Sequence, residues 1–448
     1  MSAQACELLP DFPALRGQLA GLQTIRPRGR VIEVIGTLVE ASGPELPVGG
    51  LCTIESRDRR RRIEAEVVGF REDRILLMPL GEPGGIERGQ YVVAGARHAE
   101  VPVGLSLLGR VLDGCGDPLD DLGPLHESAR VRAEARAINP LARVPIREPL
   151  GLGVRSLDSL LTCGVGQRLG IFAGSGVGKS SLLGMIARES RADLNVIGLI
   201  GERGREVREF LERDLGPEGR SRSIVIAATS DQAPLLRVRG AFLASAIASW
   251  FRDRGANVML MLDSITRLAM AQREIGLSIG EPPSSRGYTP SVFALMPRLI
   301  EQAGRTTAGS VTGLYTVLVE GDDMNEPIAD TARGLLDGHI VLSRERAEEG
   351  QFPAVDPLQS VSRLMPDLVS EAHAECAMRV RSLLATWRDA RDLVRIGAYQ
   401  DGSDAAIDEA IRRREDIASF LRQGLTERIT FGESVQSLHA LFPGGSDS

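Results

Sequence analysis

The chain has 448 residues, 43% of them hydrophobic and 25% charged, which is too long for one hydrophobic core and ordinary for a globular protein of two or three domains. Its net charge of −7 argues against a broad nucleic-acid-binding surface, which needs a basic face. Five scattered cysteines without a Cys-x-x-Cys point away from disulfide or zinc frameworks and toward a reduced, cytoplasmic protein; no run reaches the roughly 18 apolar residues of a membrane span, and a secretory signal pattern is lacking.

Residues 1–25 place Leu8, Leu9, Phe12, Leu15, Leu19 and Leu22 at helical spacing. This predicts a short amphipathic segment, either frayed or bound to a partner. From 26 to 97 the pattern changes to short β-type runs such as Val31–Val39 and Ile75–Met78, punctuated by Gly43-Pro44, Pro47, Gly49-Gly50 and Gly84-Gly85. Such runs predict a small β-barrel. The basic run Arg59-Arg60-Arg61-Arg62 reads as a solvated hairpin tip or as a contact for an acidic partner.

From 98 to 365, strand and helix patterns alternate. Apolar runs at Leu169–Ala173, Asn195–Ile200, Ser223–Ala228, Val258–Leu262, Ser310–Val319 and His339–Leu342 read as strands buried on both faces. Helical stretches such as Ser180–Glu189 and Gln232–Arg254 lie between them. The expected fold is α/β with a mostly parallel sheet. Residues 366–448 turn helical, with Ile407–Leu421 the clearest stretch, and predict a C-terminal helical domain.

Within the α/β region one residue type stands apart. Of 53 basic side chains, only Lys179 is lysine; all the others are arginine. It follows Ala173, Gly174, Ser175, Gly176, Val177 and Gly178 and precedes Ser180 and Ser181. A loop wrapped around phosphate oxygens has room for a compact ammonium and not for a planar guanidinium. Placed between a predicted strand and helix, the segment reads as a phosphate-binding loop of P-loop NTPase type. Its glycines turn N–H groups inward, the helix start adds positive potential, Lys179 reaches the β- and γ-phosphates of ATP, and Ser180 ligates Mg²⁺. The first motif position is Ala173 rather than glycine. Asp263 ends the apolar run from Val258, where it either holds the metal or caps the next helix. Hydrolysis also needs a group that orients or deprotonates water. Glu202 and Glu206, one helical turn apart, compete for that role on spacing alone.

These segments resemble the catalytic subunit of rotary ATP synthases. The shared parts are the loop, Gly201–Val207, Asp263-Ser264-Ile265-Thr266-Arg267, and Phe352–Leu358 with Ser362-Arg363. The stretches Ala269–Ile275, Gly280–Tyr288 and Tyr315–Pro327 are closer to the ATPases of type III protein export, and Ala269–Ile275 favours the flagellar branch over the virulence branch. The resemblance spans roughly residues 25–440. It implies that Glu202 activates the attacking water, that Phe352 stacks on adenine with Phe431 as the opposite wall, and that Arg363 is an arginine finger inserted into a neighbouring subunit's site. It implies a homo-hexamer with Ile275–Gly287 near the central channel, where a stalk protein binds. It further implies a stator-like negative regulator at the N-terminus, chaperone–substrate complexes at the C-terminal helices, and a peripheral location at the membrane export gate. A nucleic-acid translocase would need an aromatic, basic channel, and aromatics are only 4% of this acidic chain. A non-catalytic nucleotide-binding scaffold would lack the acid at 202.

Overall fold

The computed structural model describes residues 27–442 except 59, 97, 126–128, 134–136, 320 and 322; the helix expected over residues 1–25 lies outside the described residues. The chain divides into two compact units, one ending at Ala99 and the other beginning at Glu100.

The first unit is a closed barrel of six antiparallel strands: β1 (Arg28–Ile35), β2 (Leu38–Ala41), β3 (Leu51–Glu55), β4 (Arg62–Arg71), β5 (Arg74–Pro79) and β6 (Tyr91–Ala94). Their order is β1-β2-β5-β4-β3-β6, with β6 pairing back onto β1. Alternate residues point inward, so Val31, Val39, Cys52, Ile54, Ala65, Val67, Leu77 and Val92 fill the interior. The apolar run Val31–Val39 is two strands rather than one. Gly36 adopts φ +60° and turns the chain so that Ile35 faces Leu38. A two-residue hairpin needs this left-handed geometry, which glycine adopts without strain. Of the arginine run, Arg60, Arg61 and Arg62 lie at the β3–β4 tip, whose last pair is Glu55 with Arg62, and the Arg60 side chain is 90% exposed.

The second unit is built on a nine-stranded sheet. Its main strands are β7 (Val111–Leu112), β8 (Arg168–Ala173), β9 (Leu194–Ile200), β10 (Ser223–Ala228), β11 (Asn257–Asp263), β12 (Ser310–Leu318), β13 (Gly338–Leu342) and β14 (Val361–Ser362). They run in the order β14-β13-β8-β12-β11-β9-β10-β7, parallel except for β14, and Gly304–Arg305 pairs antiparallel with β12. Strands β9, β10 and all but the first residue of β11 are wholly buried, as expected for a sheet covered on both faces. The covering helices include α1 (Arg155–Leu160), α2 (Lys179–Glu189), α3 (Pro234–Arg252) and α4 (Ile265–Ser278).

Three helices follow: α5 (Glu371–Arg395), α6 (Ala405–Leu421) and α7 (Phe431–Ala440). Side chains cap each start: Ser370 for α5, Asp404 for α6, and a Thr430–Glu433 capping box for α7. Their apolar faces bury Val380, Leu383, Ile417, Phe420 and Leu438 in one continuous core with Leu157 and Leu160 of α1. Among the described residues no helix is long and apolar enough to cross a membrane.

Candidate functional site

Strand β8 ends at Ala173 and α2 begins at Lys179, so five residues make the turn between them. Gly176 and Gly178 take φ of +79° and +91°. Val177 is buried and anchors the loop from below, while Ser175 and Gly176 are exposed at its rim. No side chain caps the start of α2. Its first N–H groups are therefore free to meet an anion, where the helix dipole favours negative charge. Ser180 is exposed beside them, and Ser181 donates to Asp214 Oδ1 at 3.1 Å.

Lys179 Nζ hydrogen-bonds Asp263 Oδ1 and lies 3.5 Å from Glu202 Oε1. Both acids are buried at the carboxyl ends of neighbouring strands, Asp263 on β11 and Glu202 just beyond β9. Thr316, on β12 between β8 and β11, donates to Asp263 Oδ1 at 2.6 Å. The cap of α4 is Ser264, whose Oγ accepts from the Arg267 N–H. Asp263 is thus directed at the lysine and not at the helix.

Glu202 follows Gly201, which has φ +73° and whose Cα faces the Arg267 side chain so closely that a Cβ would lie 2.8 Å from it. Arg267 Nε donates back to Glu202 Oε1 at 3.2 Å. Burial raises the Glu202 carboxyl above the ordinary carboxylate range; Lys179 and Arg267 pull it down, and the facing Glu206 carboxyl pushes it up. A base raised toward neutrality takes a proton more readily than an exposed carboxylate. Glu206 is itself exposed and pairs with Arg203 at 3.5 Å.

Phe352 lies over the loop: a Cβ on Gly178 would sit 3.5 Å from its ring. The ring is 44% exposed and faces an open cleft of about 540 Å³ lined by Arg155, Arg422, Gln423 and Glu427. Gln423 ties this wall together. Its N–H donates to the Phe352 carbonyl at 2.9 Å, its Oε1 accepts from the Arg155 N–H at 2.7 Å, and its Nε2 donates to the Gly153 carbonyl at 2.9 Å. The expected second wall, Phe431, is elsewhere. It packs beside His373, ring centroids 6.2 Å apart, and against Gly151. The segment between α6 and α7 lines the cleft beside Phe352, held to α1 through Arg155 and Gln423.

Arg363 is not brought to the loop within one chain. Ser362 pairs with Gly338 at the start of β13, whereas the loop adjoins its end, where Leu342 pairs with Ala173. Four residues of strand separate those levels, about 13 Å. Arg363 is exposed, and its Nη2 donates to the Arg333 carbonyl at 3.1 Å. Arg267 and Thr316 lie inside the shared segments 263–267 and 315–327 but had no role assigned from sequence, and Arg155 and Gln423 lay outside every recognised motif.

A glycine loop joining strand to helix, a lysine at the helix start, and acids ending the neighbouring strands define a P-loop nucleoside triphosphatase. Three family descriptions match the chain in sequence order. They are the ATP synthase alpha/beta family β-barrel domain over residues 31–94, its nucleotide-binding domain over 153–362, and the T3SS EscN ATPase C-terminal domain over 369–440. A flagellum-specific ATP synthase of Bacillus subtilis is 54% identical over 92% of this chain and 94% of its own length. A type 3 secretion system ATPase of Xanthomonas euvesicatoria is 49% identical over 95% and 96%. The assembled ATPase EscN of the enteropathogenic E. coli type III secretion system superposes with a TM-score of 0.88 at 43% identity, covering 92% of this chain and 99% of that one. EscN with its central stalk EscO gives 0.85 at 42% identity with the same coverage. The chain belongs to the flagellum-specific and type III secretion ATPase family, a branch of the ATP synthase alpha/beta family. It is an ATP-hydrolysing enzyme of type III protein export.

Proposed function

We propose that the chain hydrolyses MgATP in a homo-hexameric ring to drive export of flagellar proteins. The observation that carries this is the Lys179 ammonium held between Asp263 and Glu202 at the mouth of the glycine loop. A cation already sits between the two acids, so the donor set suits a positive ion, and Asp263 with the exposed Ser180 hydroxyl would hold Mg²⁺. That ion, when bound, offsets charge on the β- and γ-phosphates. Lys179 turns to the phosphate oxygens, and the open N–H groups of Gly174–Ser181 cradle them. Glu202, desolvated and steered by Arg267, accepts a proton from the attacking water. Phe352 stacks on adenine. Arg363, too far from its own loop, serves the neighbouring subunit's site.

Two features support the export role. Flagellum-specific relatives span 46–54% identity and type 3 secretion relatives 45–49%, so the values above 49% fall on the flagellar side, and the EscN assemblies offer a precedent for an oligomer with a central stalk. On this reading a stalk protein occupies the channel near Ile275–Gly287. A stator-like regulator meets the N-terminal segment, and chaperone-bound substrates meet the helices of residues 366–448. The ring works in the cytoplasm against the membrane export gate. The barrel (26–97) and the ATPase domain (98–365) complete the division of labour.

Mixed rings test the mechanism. Glu202→Gln and Arg363→Ala should each bind ATP and each lose turnover, the latter by about 10³-fold or more. Mixing the two should restore activity, because each supplies what the other lacks. An inactive mixture would show that the finger does not act in trans. Turnover of Glu202→Gln within a few-fold of the parent would move the base elsewhere. Parent activity should also decline as pH falls through the raised Glu202 pKa, since only the ionised carboxylate accepts the proton.

A further inference from the structure

The segment carrying Arg363 is fastened from two sides. Ser362 Oγ donates to the Thr162 carbonyl at 2.7 Å and accepts from Gln167 Nε2 at 3.1 Å. The Arg363 N–H donates to the Asp337 carbonyl at 3.0 Å. Gln167 is fully buried and directly precedes β8, the strand that ends in the phosphate loop. This fastening belongs to the nucleotide-binding core.

The second fastening comes from the C-terminal helices. Arg381, midway along α5, donates through Nη1 to the Pro357 carbonyl at 2.6 Å and the Ser360 carbonyl at 3.1 Å, and through Nη2 to the Leu160 carbonyl at 3.0 Å. These three partners are main-chain carbonyls, so the guanidinium is held by the direction of its bonds, and its planar fork suits that task. The turn it grips is stiff. Ser360 Oγ donates to the Asp356 carbonyl at 2.6 Å and accepts from the Val341 N–H at 2.9 Å. Ser360 lies three residues before Arg363 with β14 between them, and Leu160 lies two residues before Thr162, the acceptor for Ser362. Helix α5, the end of α1 and the Arg363 segment therefore meet in one bonded triangle. A displacement of α5 reaches Arg363 without crossing a loose linker.

We infer that Arg381 is a positioning residue for Arg363, through which the C-terminal helices govern turnover at the neighbouring subunit's site rather than at their own. The inference rests on reading Arg363 as a finger acting in trans. Its consequence is regulatory: a load on α5 alters hydrolysis one subunit away.

The test uses full-length chains in mixed assemblies. Arg381→Met keeps the apolar stem and removes every donor. Alone, it should lose about ten- to a hundredfold in kcat with nucleotide KM nearly unchanged, the cost of moving a reacting group by about 1 Å. Mixed with Glu202→Gln subunits it should recover, because those subunits bring a seated finger. Mixed with Arg363→Ala subunits it should not, because no subunit then offers one. Arg381→Lys should fall between the parent and Arg381→Met, and it enters the same mixtures if Arg381→Met fails to assemble. The opposite pattern, recovery with Arg363→Ala and none with Glu202→Gln, would put the defect in the variant's own site and overturn the inference. Parent-like turnover of Arg381→Met alone would do the same. If Arg363→Ala itself fails to recover with Glu202→Gln, the trans finger falls and takes this inference with it. If Arg363→Ala recovers and Arg381→Met does not, only this inference falls.

Discussion

At each end of β8 a cation sits between two carboxylates, and the two cations behave differently. Beyond its carboxyl end, Lys179 faces Asp263 and Glu202 through a single nitrogen. At its amino end, Arg168 meets both oxygens of Asp337 at 3.1 Å and Glu301 Oε1 at 2.6 Å, and Arg143 meets the same Glu301 at 2.6 Å. Burial opposes the Arg168 charge, but the two acids outweigh it and hold the guanidinium above the ordinary arginine range. The arginine fork matches its acids in one fixed geometry; the ammonium is a point charge that can exchange them for phosphate. One strand thus joins a permanent lock to an exchangeable contact. On the proposed mechanism, the chain's near-exclusive use of arginine stops where partners change.

Substitutions can break that contrast, beginning with the largest effect. Lys179→Arg keeps the charge and imposes the fork; with no room among the phosphates it should cost about 10³-fold or more in turnover, as should Lys179→Ala. Both should keep the parent circular dichroism spectrum, and near-normal hydrolysis by either would remove the loop from the mechanism. At the other end, Asp337→Asn should lower stability by roughly 1–3 kcal/mol, because Arg168 keeps Glu301 but loses its bidentate partner. Urea unfolding checks this, and an unchanged midpoint would show the lock to be dispensable. The smallest effect concerns an acid whose side-chain hydrogen-bond partners, among the described residues, are main-chain N–H groups. Asp158 accepts from the Leu152 and Gly153 N–H groups at 2.8 and 3.1 Å, and burial pushes its carboxyl up to about 7 from 3.8. Between those values the folded chain keeps a proton that the unfolded chain releases, so this group makes stability fall as pH rises through the window. Asp158→Asn should flatten that slope in melting temperatures taken across it; an unaltered slope would assign the pH dependence elsewhere.

Much of the architecture was legible because it rests on simple periodicities. Strands buried on both faces read as apolar runs, and the observed ends of β9, β10 and β13 lie within one residue of those expected. The phosphate loop was legible because glycine and a single ammonium answer to one ligand chemistry. The hairpin inside Val31–Val39 was missed because Gly36 interrupts neither the apolar character nor the length of the run. Contacts between distant residues were illegible: Gln167 meets Ser362, and Arg381 meets Leu160, across about two hundred positions. Each is an ordinary polar residue locally and gains its role only when the fold brings the partner near. Phe431 shows the reverse error. An aromatic at a plausible place suggested a base-stacking wall, yet the cleft beside Phe352 is lined by Arg422 and Gln423, and Gln423 is held to α1 by its hydrogen bond with Arg155.

The closure of the N-terminal barrel has its own consequence. With β6 joined back to β1, every strand among the described residues of this unit has partners on both sides, so the barrel presents no free edge strand there to recruit a foreign one. Copies of this unit can be crowded together without adhering edge to edge. Any association they form must be written in side chains, where selection can tune it one residue at a time.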